Sequence, residues 1–175
     1  MANRQALREL QERLAARMQA AREQTVTANW LAVECAGAGM LFSLKQASEI
    51  FAPVPLKPVP YAKPWMAGVA NLRGGLYTVI DLAVLLGLRD PGPRVQTAQS
   101  RLVALHTDLG LNCALLVDRL SGLRSDAQLP LAADQPQGAR PRFAGPMRVD
   151  DNGRRWQVID LEALSRQEHF LRVVV

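Results

Sequence analysis

The first 25 residues carry the one long helical pattern of the chain. Apolar residues recur there at steps of three and four, namely Leu7, Leu10, Leu14, Met18 and Ala21. Alanine, leucine, arginine and glutamate dominate the segment, and all four favour helix. We therefore predict an amphipathic helix over residues 3–23. Its stripe can pack against the rest of the same domain, which the sequence slightly favours, or act as a docking arm for a partner.

Beyond residue 25 the pattern changes to short apolar runs separated by turn residues. The runs predict strands at 30–35, 40–44, 67–72, 76–80, 101–107, 111–117, 120–124, 143–149, 154–159 and 170–175, with a strand or short turn at 47–51. Short helices are predicted at 82–86 and 161–166. The segment from Pro53 to Pro64 holds five prolines and is expected to be an edge or a loop, as is 130–141. Many short strands with regular turns indicate an all-β architecture.

The stretch from Trp65 to Leu86 is the most informative one. It predicts a strand, a turn at Arg73-Gly74-Gly75, a second strand and a short helix. Asp81 stands at the corner between strand and helix, where a carboxylate can cap free amide groups. The pattern returns 79 residues later, where Gly153–Leu161 aligns with Gly74–Leu82 and repeats Val-Ile-Asp-Leu. This repeat predicts two lobes of similar design.

Charge and composition narrow the class of protein. The net charge is +5 and comes mostly from arginine, 49% of residues are hydrophobic and only 5% are aromatic. A basic module that binds nucleic acid is one interpretation, but the arginines are scattered and few aromatic rings are present for base stacking. Cys35 and Cys113 have no metal-binding spacing and are expected to be buried, reduced thiols. No secretion signal or membrane span is apparent, so we expect a cytoplasmic protein.

No catalytic or metal-binding motif is present. His106 and His169 lie outside any HExxH or cysteine pairing, and no phosphate-binding GK[ST] occurs. The duplicated Asp81 and Asp160 could form a pair of catalytic carboxylates, but helix capping is the favoured interpretation. Asp118 closes an apolar strand and is expected to fix a turn. We predict no enzyme and no metal site.

Five stretches carry a resemblance to a known family. They are Gly68–Gly74, Val79–Leu82, Leu115–Leu120, Phe143–Gly145 and Val158–Leu161. Together they resemble the signature of the CheW-like adaptor domain, over about residues 30–164. The stretch at 65–71 and the ending at 170–175 look most like the branch of the family that serves type IV pili and twitching motility.

The resemblance implies a mainly β fold of two five-stranded, SH3-like β-barrel lobes, with the N-terminal α-helix as an extra element. The expected organisation is a helix at 1–25 and a CheW-like domain at 26–175. Lobe one would cover about 26–88, a linker 89–100 and lobe two about 101–175. The motif glycines Gly68, Gly74 and Gly145 are expected to have structural roles.

The same resemblance implies a non-catalytic adaptor without a cofactor. Its partners would be the cytoplasmic tip of a methyl-accepting chemoreceptor and the regulatory domain of a CheA-type histidine kinase. Arg73 matches a family position linked to receptor contact. Glu49 aligns with a strand on the same side, and Asn71 either joins this contact or stabilises the turn.

On the kinase side, the candidates are exposed aliphatic residues of lobe one. They are Leu41, Leu44 and Val54, although such residues can equally belong to a core.

Overall fold

The computed structural model describes residues 11–18, 28–93 and 96–174. Residues 11–18 are helical (α1). The elements that follow are β1 (Ala28–Cys35), β2 (Ala38–Ser43), β3 (Ala47–Phe51), β4 (Met66–Leu72), β5 (Gly75–Asp81), α2 (Leu82–Leu85), β6 (Arg101–Leu105), a 3-10 turn (Thr107–Leu109), β7 (Cys113–Val117), β8 (Arg119–Ser125), β9 (Ala144–Val149), β10 (Arg155–Ile159), α3 (Leu161–Ser165) and α4 (Glu168–Leu171).

The strands form two five-stranded sheets. The order is β8-β1-β2-β10-β9 in the first sheet and β3-β6-β7-β5-β4 in the second. Within the described residues neither sheet closes its hydrogen-bonded order, so the expected barrels are instead open, SH3-like sheets. Two isolated bridges bring the edges of each sheet closer to a closed barrel. Lys57, after β3, pairs with Val69 of β4, and Leu131, after β8, pairs with Arg148 of β9.

The two halves of the chain are interleaved, which corrects the expected division into lobes at 26–88 and 101–175. The hairpin β1–β2 joins β8, β9 and β10 of the second half, and the hairpin β6–β7 joins β3, β4 and β5 of the first. In each sheet, a parallel strand pair joins the hairpin to strands from the other half of the chain: β2 pairs with β10 and β5 pairs with β7. Turn and periodicity signals specify a hairpin but not the sheet that it enters, because the latter depends on long-range pairing.

Two tight turns have backbone conformations that few side chains adopt. In the β1–β2 turn, φ is 49° at Ala36 and 81° at Gly37. In the β4–β5 turn, φ is 49° at Arg73 and 84° at Gly74. A two-residue hairpin turn with positive φ at both positions matches the twist of its strands. The sequence predicted the second turn, but its strained residue is Arg73, whereas Gly75 already belongs to β5.

The two sheets share one core. It includes Leu31 and Phe42 from the first sheet, Ile80 and Leu115 from the second, and Leu161 from α3. Each sheet also has a smaller buried cluster of its own. Because one cluster of buried apolar side chains spans both sheets, the described domain packs as a unit.

The C-terminal segment corrects another prediction. Residues 170–175 were expected to close the fold as a strand, but Glu168–Leu171 form α4. Phe170 is buried and stacks on Trp65 with their ring centroids 6.4 Å apart. The β propensity of the valines yields only an isolated bridge between Val174 and Ala62. Burial of the Phe170 ring therefore outweighs local propensity here.

The N-terminal helix is confirmed over residues 11–18, and the rest of the predicted 3–23 lies outside the described residues. All eight residues are exposed, including Leu14 at 51% and Met18 at 60%. In this structure, therefore, the described part of the stripe is not packed on its own domain. Their apolar side chains remain available to another surface.

Candidate functional site

The turn between β4 and β5 gathers the three residues predicted for receptor contact. The Arg73 side chain is 75% exposed and forms an ion pair with Glu49 of β3. Its guanidinium also lies 5.8 Å from the centre of the Phe51 ring. Asn71 accepts a hydrogen bond on Oδ1 from the Gly74 amide, at 2.9 Å, so it stabilises the turn. The turn thus presents the Arg73 guanidinium, which is restrained by Glu49 but remains accessible to a partner.

The contact across this site shows that the second sheet is curled. β3 and β4 lie at opposite ends of its hydrogen-bonded order, yet Arg73 reaches Glu49. The aromatic rings of Phe51 in β3 and Tyr77 in β5 also lie close together, with their centroids 6.3 Å apart. Curling of a twisted sheet brings its edges together, so a site that no single strand encodes is formed by side chains from both edges.

Exposed aliphatic side chains flank the Arg73 turn. Leu76 of β5 is 65% exposed, and Ile50, next to Glu49 in β3, is also exposed. Protein interfaces combine such apolar groups with arginine, which is enriched there relative to the rest of a protein surface. This surface therefore has the chemistry of a protein-contact site.

The kinase-contact candidates have different environments. Leu41 is fully buried in the cluster that holds Leu129 and Trp156, so its expected exposure is wrong. Its position in the central strand β2 places it inside the sheet packing. Leu44 and Val54 are half-buried against core clusters and keep part of their surface accessible.

The motif glycines permit close approach or unusual backbone geometry. Gly68 has a φ of 139°, and a Cβ there would lie 2.5 Å from the Lys57 carbonyl oxygen. That carbonyl accepts a hydrogen bond from the amide of Val69. A Cβ on Gly145 would meet Val158 Cγ1 at 2.8 Å, whereas Gly74 needs its positive φ for the turn. These geometries support the structural roles expected of the three glycines.

Asp81 and Asp160 cap separate helices, as the sequence predicts. Asp81 Oδ1 accepts hydrogen bonds from the amides of Ala83 and Val84 at the start of α2. Asp160 Oδ1 accepts one from the amide of Ala163 in α3. Each carboxylate satisfies its own helix terminus, so the interpretation as a paired catalytic site is removed.

Asp118 joins the two sheets. Its Oδ2 accepts hydrogen bonds from the Ala36 amide in the β1–β2 turn and from Arg89 Nη2 after α2, both at 2.7 Å. Arg89 also lies 3.7 Å from Asp81. The contact with the β1–β2 turn is of the kind expected of a turn-fixing residue, and the neighbouring Arg119 binds Glu34.

Glu34 is the main site that the sequence predictions missed. It is buried in β1 and accepts hydrogen bonds on Oε1 from Arg119, Arg154 and Ser121 at 2.7–2.8 Å. The hydrogen bond from Arg119, aided by those from Arg154 and Ser121 and opposed by burial, lowers the Glu34 pKa from 4.5 to about 2. The single acid in the otherwise apolar run 30–35 was the available signal.

Gln46 was also missed. Its side chain donates to Asp160 and accepts from the Leu161 amide, both at 2.9 Å, and its backbone carbonyl accepts from the His106 amide. It therefore fastens the short crossing from β2 to β3 to both sheets. No local pattern distinguishes this glutamine from a solvated one.

The part of the chain that the structure describes has no group of three or more His, Cys, Asp or Glu side chains able to hold a metal ion. Among the same residues, no helix has the length and apolarity needed to span a membrane. In the described ranges, at least eight arginines form ion pairs with carboxylates, so these side chains are already engaged within the fold.

Comparisons with known proteins agree with this architecture. Residues 29–169 match the family model described as the CheW-like domain. Protein PilI of Pseudomonas aeruginosa is 27% identical over 170 residues, covering 93% of this chain and 89% of PilI. The crystal structure of the scaffolding protein TtCheW from Thermoanaerobacter tengcongensis superposes with a TM-score of 0.64 at 19% identity, covering 82% of this chain and 95% of that one.

The family model spans most of the chain, including the Arg73 turn and both capped helices. The likeness to TtCheW independently supports the fold of two five-stranded sheets. The chain therefore belongs to the CheW-like domain family, the adaptor and scaffold proteins of chemosensory signalling.

Proposed function

We propose that this protein couples a methyl-accepting chemoreceptor to a CheA-type histidine kinase and that the output is control of type IV pilus twitching motility. The observation that carries the proposal is the Arg73 turn, with its accessible cation and flanking aliphatic side chains. The similarity of the whole chain to PilI supports control of pilus motility as the output of the signal.

The receptor is proposed to contact the Arg73 turn. An exposed guanidinium forms strong hydrogen bonds to carboxylates on a partner, and Leu76 and Ile50 add apolar surface beside it. Glu49 holds the guanidinium before binding, which reduces the side-chain entropy lost in the complex. Asn71 contributes by fixing the turn.

The kinase regulatory domain is proposed to pack against the exposed parts of Leu44 and Val54. Both side chains rest on core clusters, so their positions are fixed by the fold. A signal then passes as a small change in packing between adaptor and partner, without chemistry on the adaptor.

Receptor capture by an Arg73→Glu variant tests the first contact. We expect at least a tenfold loss of affinity, about 1.4 kcal/mol, because the cation is replaced by an anion. Arg166→Glu is the matched control, since Arg166 is equally exposed and also forms an ion pair with a glutamate. Equal capture by both variants would refute the receptor assignment.

The double variant Arg73→Glu/Glu49→Arg separates contact from structure. It restores an internal ion pair but leaves the exposed position negative. Recovery of full receptor binding would show that the pair only supports the fold, whereas continued loss supports direct contact.

Calorimetric titration with the kinase regulatory domain tests the second partner. We expect a dissociation constant in the micromolar range, about −8 kcal/mol, which weakens in a Leu44→Asp/Val54→Asp variant. Absence of binding by the native protein would refute the proposed kinase coupling.

A further inference from the structure

An apolar groove lies beside the C-terminal helix, with a cavity volume of about 340 Å³. Its lining includes Val69 and Leu76 from the second sheet, Leu111 from the loop before β7, and Leu171 and Val173 from the C-terminal segment. Leu76 and Leu171 are 65% and 51% exposed. We call this feature the C-terminal groove.

Two further exposed side chains extend the apolar surface around the groove. Val174 pairs with Ala62, which places the neighbouring Tyr61 close to the C-terminal segment. Tyr61 is 84% exposed and has a φ of 59°, an uncommon conformation for a bulky residue. Exposed apolar side chains grouped beside a groove are typical of an interaction site.

The chain itself carries a second unpartnered apolar face. Leu14 and Met18 lie one turn apart in α1, and both are exposed. The sequence predicts that Leu7, Leu10 and Ala21 continue the same stripe. An amphipathic helix that lays such a stripe into an apolar groove is a recurrent mode of recognition.

The connection between helix and domain allows the helix to reach the groove. The Asn29 carbonyl, next to the start of β1, accepts from the Leu44 amide, and the nearby Gln46 carbonyl accepts from the His106 amide. β1 therefore begins at the end of the domain that holds the 106–112 loop, which supplies Leu111 to the groove. Nine residues, 19–27, link α1 to β1, and nine residues span at most about 30 Å, which sets the reach of the helix.

A short tether also favours the helix of the same chain over that of a second copy. Linking two binding surfaces gives an effective concentration in the millimolar range when the linker can span them. The helix and the C-terminal wall of the groove lie outside the 29–169 family match, so both flank the common domain.

We propose that the N-terminal helix docks its Leu14–Met18 stripe into the C-terminal groove of its own chain. Leu76 belongs both to the groove and to the surface beside the Arg73 turn. The docked helix therefore covers part of this surface and must leave when a partner occupies it. Docking and release of the helix would thus regulate the access of partners to the surface beside the Arg73 turn.

Hydrogen exchange on the full-length protein alone tests this proposal, so the result does not depend on receptor or kinase binding. Amides of residues 11–18 should exchange at least tenfold more slowly in the native protein than in Leu76→Asp. A Leu14→Asp variant should show the same acceleration. Leu171→Asp provides a second groove variant, and circular dichroism checks that each variant is folded.

Leu123→Asp is the matched control, because Leu123 is an exposed leucine on β8 of the other sheet. It should leave exchange of residues 11–18 unchanged. Equal exchange in the native protein and both groove variants overturns the proposal. Protection that grows with protein concentration, together with a dimer in sedimentation, also overturns it and assigns the groove to the helix of a second copy.

Discussion

Replacing Glu34 by glutamine tests how the first sheet is stabilised. The carboxylate is buried in β1 and accepts hydrogen bonds from arginines of β8 and of the β9–β10 turn. Glutamine keeps the size of the side chain but removes its charge. The arginines Arg119 and Arg154 then lose their anionic partner, while Ser121 keeps an acceptor of similar shape.

The expected loss follows from the Glu34 pKa. Its hydrogen bonds, led by that from Arg119, lower this pKa from 4.5 to about 2 in the folded protein. Each unit of difference between the folded and unfolded pKa corresponds to about 1.36 kcal/mol, so ionised Glu34 contributes about 3 kcal/mol to the free energy of unfolding. The side chain is only 11% exposed, so solvent screens this contribution weakly.

The pH dependence has a defined direction. Because the folded pKa is the lower one, the contribution is fully present above pH 4.5 and decreases as the pH falls toward 2. Urea unfolding followed by circular dichroism at pH 7, 5 and 3.5 measures it. The difference between native protein and Glu34→Gln should be about 3 kcal/mol at pH 7 and smaller at pH 3.5.

Glu49→Gln is the control, since Glu49 forms an exposed ion pair with Arg73. Exposed pairs contribute about 0–1 kcal/mol, so this variant should be nearly as stable as the native protein. If Glu34→Gln costs no more than Glu49→Gln, or if its cost is the same at pH 7 and 3.5, the network does not stabilise the fold as argued.

Three further predictions concern other positions of the fold. Gly68→Ala should lower stability by about 1–3 kcal/mol in chemical denaturation, because of its φ and the nearby carbonyl, whereas Gly92→Ala, with nothing near its added Cβ, should be neutral. Asp81→Ala and Asp160→Ala should each cost about 1 kcal/mol or more in the same assay through loss of a helix cap, with asparagine tolerated better at either position. Burial raises the pKa of the Cys113 thiol to about 12, so iodoacetamide at pH 8 should modify it only after unfolding, as mass spectrometry would show.

Local elements followed directly from the sequence. The hairpin glycines, the Asp81 and Asp160 caps and the short apolar runs each depend on residues that are close along the chain, where backbone sterics and capping act. The helix at 11–18 was predicted by its three- and four-residue spacing. The C-terminal strand was predicted wrongly because valine propensity was weighed without the packing of Phe170 on Trp65.

By itself, the sequence determined the hairpins, the capped helices and the repeated unit. Only the tertiary structure decided that the two halves exchange hairpins, that Leu41 is buried, and that Arg73 meets Glu49 across the curled sheet. The physical reason is the separation along the chain between the residues that interact. Turns and caps are satisfied by neighbouring residues, whereas strand order and side-chain burial depend on pairing and packing between segments far apart in the chain.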